Sequence, residues 1–415
     1  MFKIKKEMLE EYALLAVKIG VNVQKGQPLL IQAPVEAYDL VRECVRVAYK
    51  QGSSNVTVDY DDDVKTRLDY ESRTVESLCE IPNWSIEKLK YNISSNYCRL
   101  VIIGEDPDLL NGIDTEKVQK SMIARMNAKK DYQYYGMNNI GQWSVVAYPN
   151  LAWAHKVFPN IKDDDEAMEA LWNAILSTSR VEIGKTEDNW NKHNLEIEAH
   201  CKKLNDFNFK SLHFTNDIGT DLTIGLIKNH IWEGGADKSR GAFKCEFNAN
   251  IPTEEVFTMP DRFHIDGKVY STKPLSYNGN IIPEFNLTFK NGKVIDYDAN
   301  ENKDVLEGLL DTDEGTRSLG EVALISHDSP ISNSKILFYE TLFDENASCH
   351  LALGACYPTN VKGGSELSKD ELYELGGNKS MEHCDFMFGS KDMHIVGTTY
   401  DGQEIVIFDK GNFVI

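Results

Sequence analysis

Leu29-Leu-Ile-Gln-Ala33 is a short apolar run after the turn at Gly26, and the apolar positions then change period. From Val35 to Gln51, Tyr38, Val41, Val45 and Ala48 fall on one helical stripe before Gly52 ends it. A strand followed by a helix is predicted. Strand-like runs recur at 55–60, 99–103 and 143–147, with helical stretches between them such as Asp114 to Asn127. Residues 1–194 are therefore expected to form an α/β domain whose parallel or mixed sheet is flanked by helices. The carboxylates of Asp163-Asp-Asp-Glu166 complement a helix dipole and mark the start of a helix that includes Ala167 to Ser177. Polar residues dominate from about 180, and the stretch from Asn189 to Asn205 is helix-like. Beyond it the pattern becomes strand-like at 212–215, 221–227, 285–289, 292–296 and 404–408, with Lys290-Asn-Gly-Lys293 as a hairpin turn. Residues 195–415 are expected to form a β-rich α+β domain.

Composition narrows the partners more than the fold. With 44 basic and 65 acidic residues the formal charge is −21, which disfavours nucleic acid and anionic membrane surfaces, because phosphate binding relies on clustered Lys and Arg. The first twelve residues carry acidic side chains where a signal peptide would need an apolar core, and no run of 18 apolar residues occurs. A cytoplasmic protein is expected. The eight cysteines include no Cys-x-x-Cys pair, which argues against a thiolate zinc ribbon or a disulfide framework. Gly184-Lys-Thr186 has Ser179 where a phosphate loop needs glycine, and no Gly-x-Ser-x-Gly or His-Glu-x-x-His motif is present.

The candidate chemistry lies in the second half, where nine of the ten histidines follow residue 190. His383 and Asp385 stand two apart in a strand-like run, so both leave one face as possible metal ligands, while Cys384 faces the other way into the core. Three further patches carry ligand-type side chains. Glu254-Glu255 follows Pro252-Thr253. Glu321 interrupts the apolar run 319–325 and would be costly to bury without a cation or a donor. His350, preceded by Asp344-Glu345, opens the small apolar segment 351–355. Carboxylates and imidazoles together suggest a hydrolytic metal centre. Asp59-Tyr-Asp-Asp-Asp63 is instead expected to be a solvated strand end.

The segments 250–261, 317–323, 342–354 with Tyr357, and 382–387 resemble, in order and spacing, the motifs of the thermophilic-type metalloaminopeptidases, the aminopeptidase T, aminopeptidase S and PepS family. The likeness extends to Gly219-Thr-Asp-Leu-Thr-Ile-Gly225 with Trp232, Gly234 and Gly235, and to Ala152-Trp-Ala154 with Lys156-Val-Phe-Pro159. This resemblance implies an exopeptidase that removes the N-terminal residue of peptides with a free amine, a cofactor of two divalent ions (zinc, cobalt or manganese), and a homodimer whose N-terminal domain shields the site. By motif position the ligands are Glu255, Glu321, His350, His383 and Asp385, with Glu345 a further candidate and Glu321 in the bridging place. Adjacent side chains in an extended chain face opposite ways, so only one of Glu254 and Glu255 can reach a given ion; the family spacing favours Glu255 and leaves Glu254 as an alternative ligand or a proton shuttle. Tyr357 is implied as a donor to the developing oxyanion. Two rivals remain at this point: another metal-dependent amidohydrolase or phosphoesterase with the same ligands, and a non-catalytic acidic interaction protein.

Overall fold

The computed structural model describes residues 2–277 and 280–415. The chain divides into two units: residues up to Lys192 together with Ala236–Pro252, and His193–Gly235 together with Thr253–Ile415. The expected boundary at 194/195 thus falls just past this division, within the helix Thr186–Phe207. Residues 236–252, assigned from sequence to the second domain, belong to the first. Their backbone explains the difference. The Val145 amide donates to the Ala249 carbonyl at 2.8 Å, and the Ile251 amide donates back to Val145 at 3.0 Å. The excursion therefore covers an otherwise open sheet edge, a tertiary device that no local pattern announces.

In the first unit the strands β1 (Pro28–Pro34), β2 (Asn55–Asp61), β3 (Cys98–Ile103) and β4 (Trp143–Ala147) form a parallel sheet in the order β2-β1-β3-β4. Parallel neighbours need long crossovers, and helices supply them. After β1 a 3₁₀ turn at Val35–Ala37 leads into the helix Tyr38–Gln51, which Gly52 ends at φ +92°. The buried face of that helix is Leu40, Val41, Cys44 and Ala48, whereas Tyr38 is 49% exposed. The predicted stripe is corrected on this point: the 3₁₀ turn rotates the entry, so Ala37 takes the inward place given to Tyr38. Asp163 caps the helix Asp164–Thr178 by accepting from the amides of Asp165 and Glu166. Within the acidic run 59–63, Asp62 caps the helix Asp63–Ser72.

Beside the short antiparallel pair Leu275–Tyr277 and Asn280–Ile282, the second unit holds two larger antiparallel sheets. One has eight strands, in the order Lys293–Ala299, Phe285–Lys290, Pro260–Tyr270, Asp221–Leu226, Phe209–Thr215, His394–Thr399, Glu404–Asp409, Asn412–Phe413. Its first hairpin turns through Asn291 and Gly292, both at positive φ, as the Asn-Gly pair predicts. The other sheet has four strands, in the order His383–Met387, His350–Gly354, Leu319–Leu324, Val256–Thr258. Phe214, Ile224, Ile265 and Leu287 of the large sheet share one apolar core with Val322, Leu351, Leu353 and Phe386 of the small one. That packing consumes one face of the four-stranded sheet. The other face carries the candidate chemistry. Among the described residues, no helix is long and apolar enough to cross a membrane.

Candidate metal centre

Strand alternation would place Leu319 and Glu321 on the same face, yet Leu319 sits in the core and Glu321 opposite it. A β-bulge separates them. Leu319 pairs with Leu353 while Glu321 pairs with Ala352, so Gly320 is the extra residue that reverses the parity. A side chain at 320 would collide with the carbonyl oxygens of Ala355 and Gly354, which leaves glycine as the residue that fits. Gly320→Ala is therefore expected to cost about 1–3 kcal/mol of stability and to impair metal uptake together with it. Chemical denaturation and metal analysis of that variant check both.

On the strand His383–Met387, His383 and Asp385 share the site face, while Cys384 and Phe386 enter the core, as alternation predicts. The register then aligns the parts. Asp385 pairs with Ala352, which pairs with Glu321, and His383 pairs with Gly354. The small residues Ala352 and Gly354 leave room between the carboxylates and the imidazoles. His350 stands at the far end of its strand, opposite Met387.

Two clusters result, each with ligand atoms within 4.8 Å of one another: Glu255, Glu321 and His350, and Glu321, His383 and Asp385. The Nε2 of His350 lies 3.1 Å from Glu255 Oε2 and 3.4 Å from Glu321 Oε1. The Nε2 of His383 lies 3.7 Å from the other Glu321 oxygen and 3.4 Å from Asp385 Oδ1. Glu321 is common to both clusters. Its two oxygens point to different histidines.

The backbone sets which imidazole nitrogen faces the cluster. His350 Nδ1 is 3.0 Å from the Glu345 carbonyl, and His383 Nδ1 is 2.7 Å from the Ala355 carbonyl. A carbonyl only accepts, so each Nδ1 carries its hydrogen and donates, which in the neutral ring leaves the Nε2 lone pair for a metal. Asp385 Oδ1 is buried and, apart from the 3.4 Å approach of His383, receives no hydrogen bond among the described residues, an arrangement costly in isolation and suited to a cation. The oxygen and nitrogen donor set fits zinc, cobalt or manganese.

Charge balance agrees. Burial raises the Glu321 carboxyl above its ordinary range, with His350 pulling against it. Burial pulls the two imidazoles down, but Glu255 and Glu321 hold His350 well above its usual range, and Asp385 with Glu321 holds His383 up at about 10. Asp385 is lowered because the His383 charge outweighs the cost of burial. Without an ion, protons on the histidines offset the carboxylates.

The remaining sequence candidates are placed differently. Glu254 does not join either cluster: its amide donates to Asn346 Oδ1 at 2.7 Å and its carboxylate lies 4.0 Å from His193 Nε2. Glu345 lines a cavity beside His383 and Asp385, and burial with the Asp385 and Glu255 charges keeps its carboxyl well above the ordinary range. The Tyr357 ring centroid is 4.9 Å from that of His383. Its hydroxyl makes no hydrogen bond among the described residues, and burial, then Glu321, raises its pKa well above the usual phenol, so it remains a donor. Asn346, which accepts from the Glu254 amide, and His193, whose Nε2 lies 2.7 Å from the Thr253 carbonyl, were not singled out from sequence. Asn346 lies inside the Asp-Glu-Asn motif, whereas His193 carries no local signal of a partner sixty residues away.

A family model described as thermophilic metalloprotease (M29) matches residues 5–413. Aminopeptidase AmpS of Bacillus subtilis (strain 168) is 44% identical over 407 residues, 98% of each chain. Aminopeptidase T of Thermus thermophilus is 36% identical over 410 residues, 99% of each chain. The solved structure of wild-type AmpT from Thermus thermophilus superposes with a TM-score of 0.91 at 36% identity, covering 99% of this chain and all of the other.

Proposed function

The chain belongs to the thermophilic metalloprotease family M29 and is a metalloaminopeptidase, and on that premise we propose that it cleaves the N-terminal residue from peptides at a dinuclear divalent centre bridged by Glu321. The observation that carries this reading is the shared carboxylate: Glu321 belongs to both ligand clusters. Glu255 and His350 would hold one ion, His383 and Asp385 the other. Two ions bound there would supply Lewis-acid polarisation of the scissile carbonyl and would acidify the attacking water.

The chain's own groups account for the rest. The carbonyls of Glu345 and Ala355 hold the two imidazoles in the orientation that ligation requires. Tyr357 donates its hydroxyl proton in a hydrogen bond to the carbonyl oxygen as negative charge develops there. The free α-ammonium needs an acceptor at the same centre. Glu345, which lines the adjoining cavity, is better placed for it than Glu254, whose carboxylate is turned to His193. The homodimer and the cytoplasmic setting implied by the family likeness are part of the same proposal, and sedimentation of the metal-loaded protein tests the first.

An exopeptidase of this kind requires the free amine, which a general amidohydrolase does not. Leucyl-p-nitroanilide is expected to be hydrolysed at least a hundredfold faster than its N-acetyl derivative under identical metal loading. Comparable rates would leave a metal-dependent amidase and remove the aminopeptidase reading.

A further inference from the structure

We propose that the cavity at the open edge of the four-stranded sheet receives the side chain of the peptide's N-terminal residue, and that Leu337 and Met387 set the size it accepts. The inference rests on the aminopeptidase reading, because it takes the scissile carbonyl to lie beside Asp385. The cavity measures about 220 Å³ and is lined by His383, Asp385 and Glu345 of the candidate centre together with Leu337 and Met387. The strand His383–Met387 ends the sheet, and Met387 follows His383 and Asp385 on the same face. A side chain that leaves a carbon next to the ligand cluster thus has this cavity as its immediate neighbour.

Its dimensions and chemistry define the side chains that fit. A cavity of about 150 Å³ lined by aliphatic groups takes up benzene, so this one has room for Leu, Met or Phe. Glu340, Glu345 and Glu382 also line it, and among the described residues no lysine or arginine does. An N-terminal Asp or Glu would bring a like charge into partly desolvated surroundings, and such peptides are expected to be poor substrates.

One wall of the cavity is held in a fixed shape. Asp344 accepts from the amides of Phe338 at 2.8 Å and Glu340 at 3.2 Å, and Tyr339 between them adopts φ +56°, a strained value for a side chain of that size. Strain of this kind persists only where the surroundings impose it. Leu337, Tyr339 and Glu340 thereby form a preformed wall rather than a loose loop.

The test compares alanyl-, leucyl-, phenylalanyl-, naphthylalanyl- and glutamyl-p-nitroanilides on the metal-loaded full chain. Because one methylene in an apolar pocket changes discrimination by about 10–200-fold, Leu337→Trp is expected to lower kcat/KM for phenylalanyl relative to alanyl substrate by at least about tenfold. Met387→Ala, which removes a lining side chain of the same cavity, is expected to raise naphthylalanyl relative to leucyl substrate; this second variant decides the matter if the first does not fold. Unchanged ratios in the folded variants, with wild-type protein active on these substrates, would overturn the pocket alone. A wild-type protein that hydrolyses none of them with its metal content saturated would overturn the underlying aminopeptidase reading as well.

Discussion

Glu321→Gln is expected to lower hydrolysis of leucyl-p-nitroanilide by about 10³-fold or more, with the chain still folded. The argument is geometric. One Glu321 oxygen faces His350 and the other faces His383, and glutamine replaces one of those oxygens with an amide nitrogen that cannot serve as a ligand. The substitution also removes the negative charge that both clusters share, and so weakens both at once. Loss of about 4 kcal/mol of transition-state stabilisation, a modest share of what metal polarisation supplies, corresponds to that factor. Bound metal should fall in parallel. Cooperative melting separates this outcome from simple unfolding: in chelator the variant lacks the carboxylate that faces His350 and His383 and should melt lower than wild type, yet in a single folded-to-unfolded transition. The increase in melting temperature that wild type gains from added metal should shrink, since ligand-linked stabilisation depends on affinity. More than a tenth of wild-type activity with full metal content would remove Glu321 from the bridging role.

Tyr357→Phe is expected to lower kcat by about 10²–10³-fold with little change in KM, as loss of a single oxyanion donor does. Metal content should remain at the wild-type level, because the phenol is beside the His383 ring rather than among the ligands. Phenylalanine preserves the ring and its edge contact with Phe257, where the centroids are 6.1 Å apart. A tyrosine that only packs would give near-normal turnover and a change in stability below about 1.5 kcal/mol. Steady-state kinetics and metal analysis on one preparation distinguish the two roles.

Much of this site could be read before the fold was known, and the reasons differ by residue. His383 and Asp385 were legible because a strand puts alternate residues on one face, a rule that needs only the local chain. Glu321 stood out as a carboxylate in an apolar run, and its burial at 4% exposure meets that expectation. What the local pattern could not show is the bulge at Gly320 that turns Glu321 to the site face, since a bulge is defined by the partner strand. The choice between Glu254 and Glu255 likewise depended on distant groups. Asn346 accepts from the Glu254 amide and His193 bonds the Thr253 carbonyl, while Glu255 lies 3.1 Å from His350. In the first unit the alternation of strands and helices gave the parallel sheet, while the return of residues 236–252 to β4 rests on backbone pairing that leaves no trace in hydrophobic periodicity. Tyr38 shows the limit at small scale, because three residues of 3₁₀ helix were enough to rotate it into solvent.

The most direct test of the proposed dinuclear centre is a titration of the chelator-stripped full chain with zinc or cobalt, following hydrolysis of leucyl-p-nitroanilide and metal bound per chain on the same samples. The expected result is that activity reaches its plateau at two ions per chain in wild type, and that this stoichiometry is lost in Glu321→Gln. A plateau at one ion per chain, or full activity with no bound metal, would contradict it.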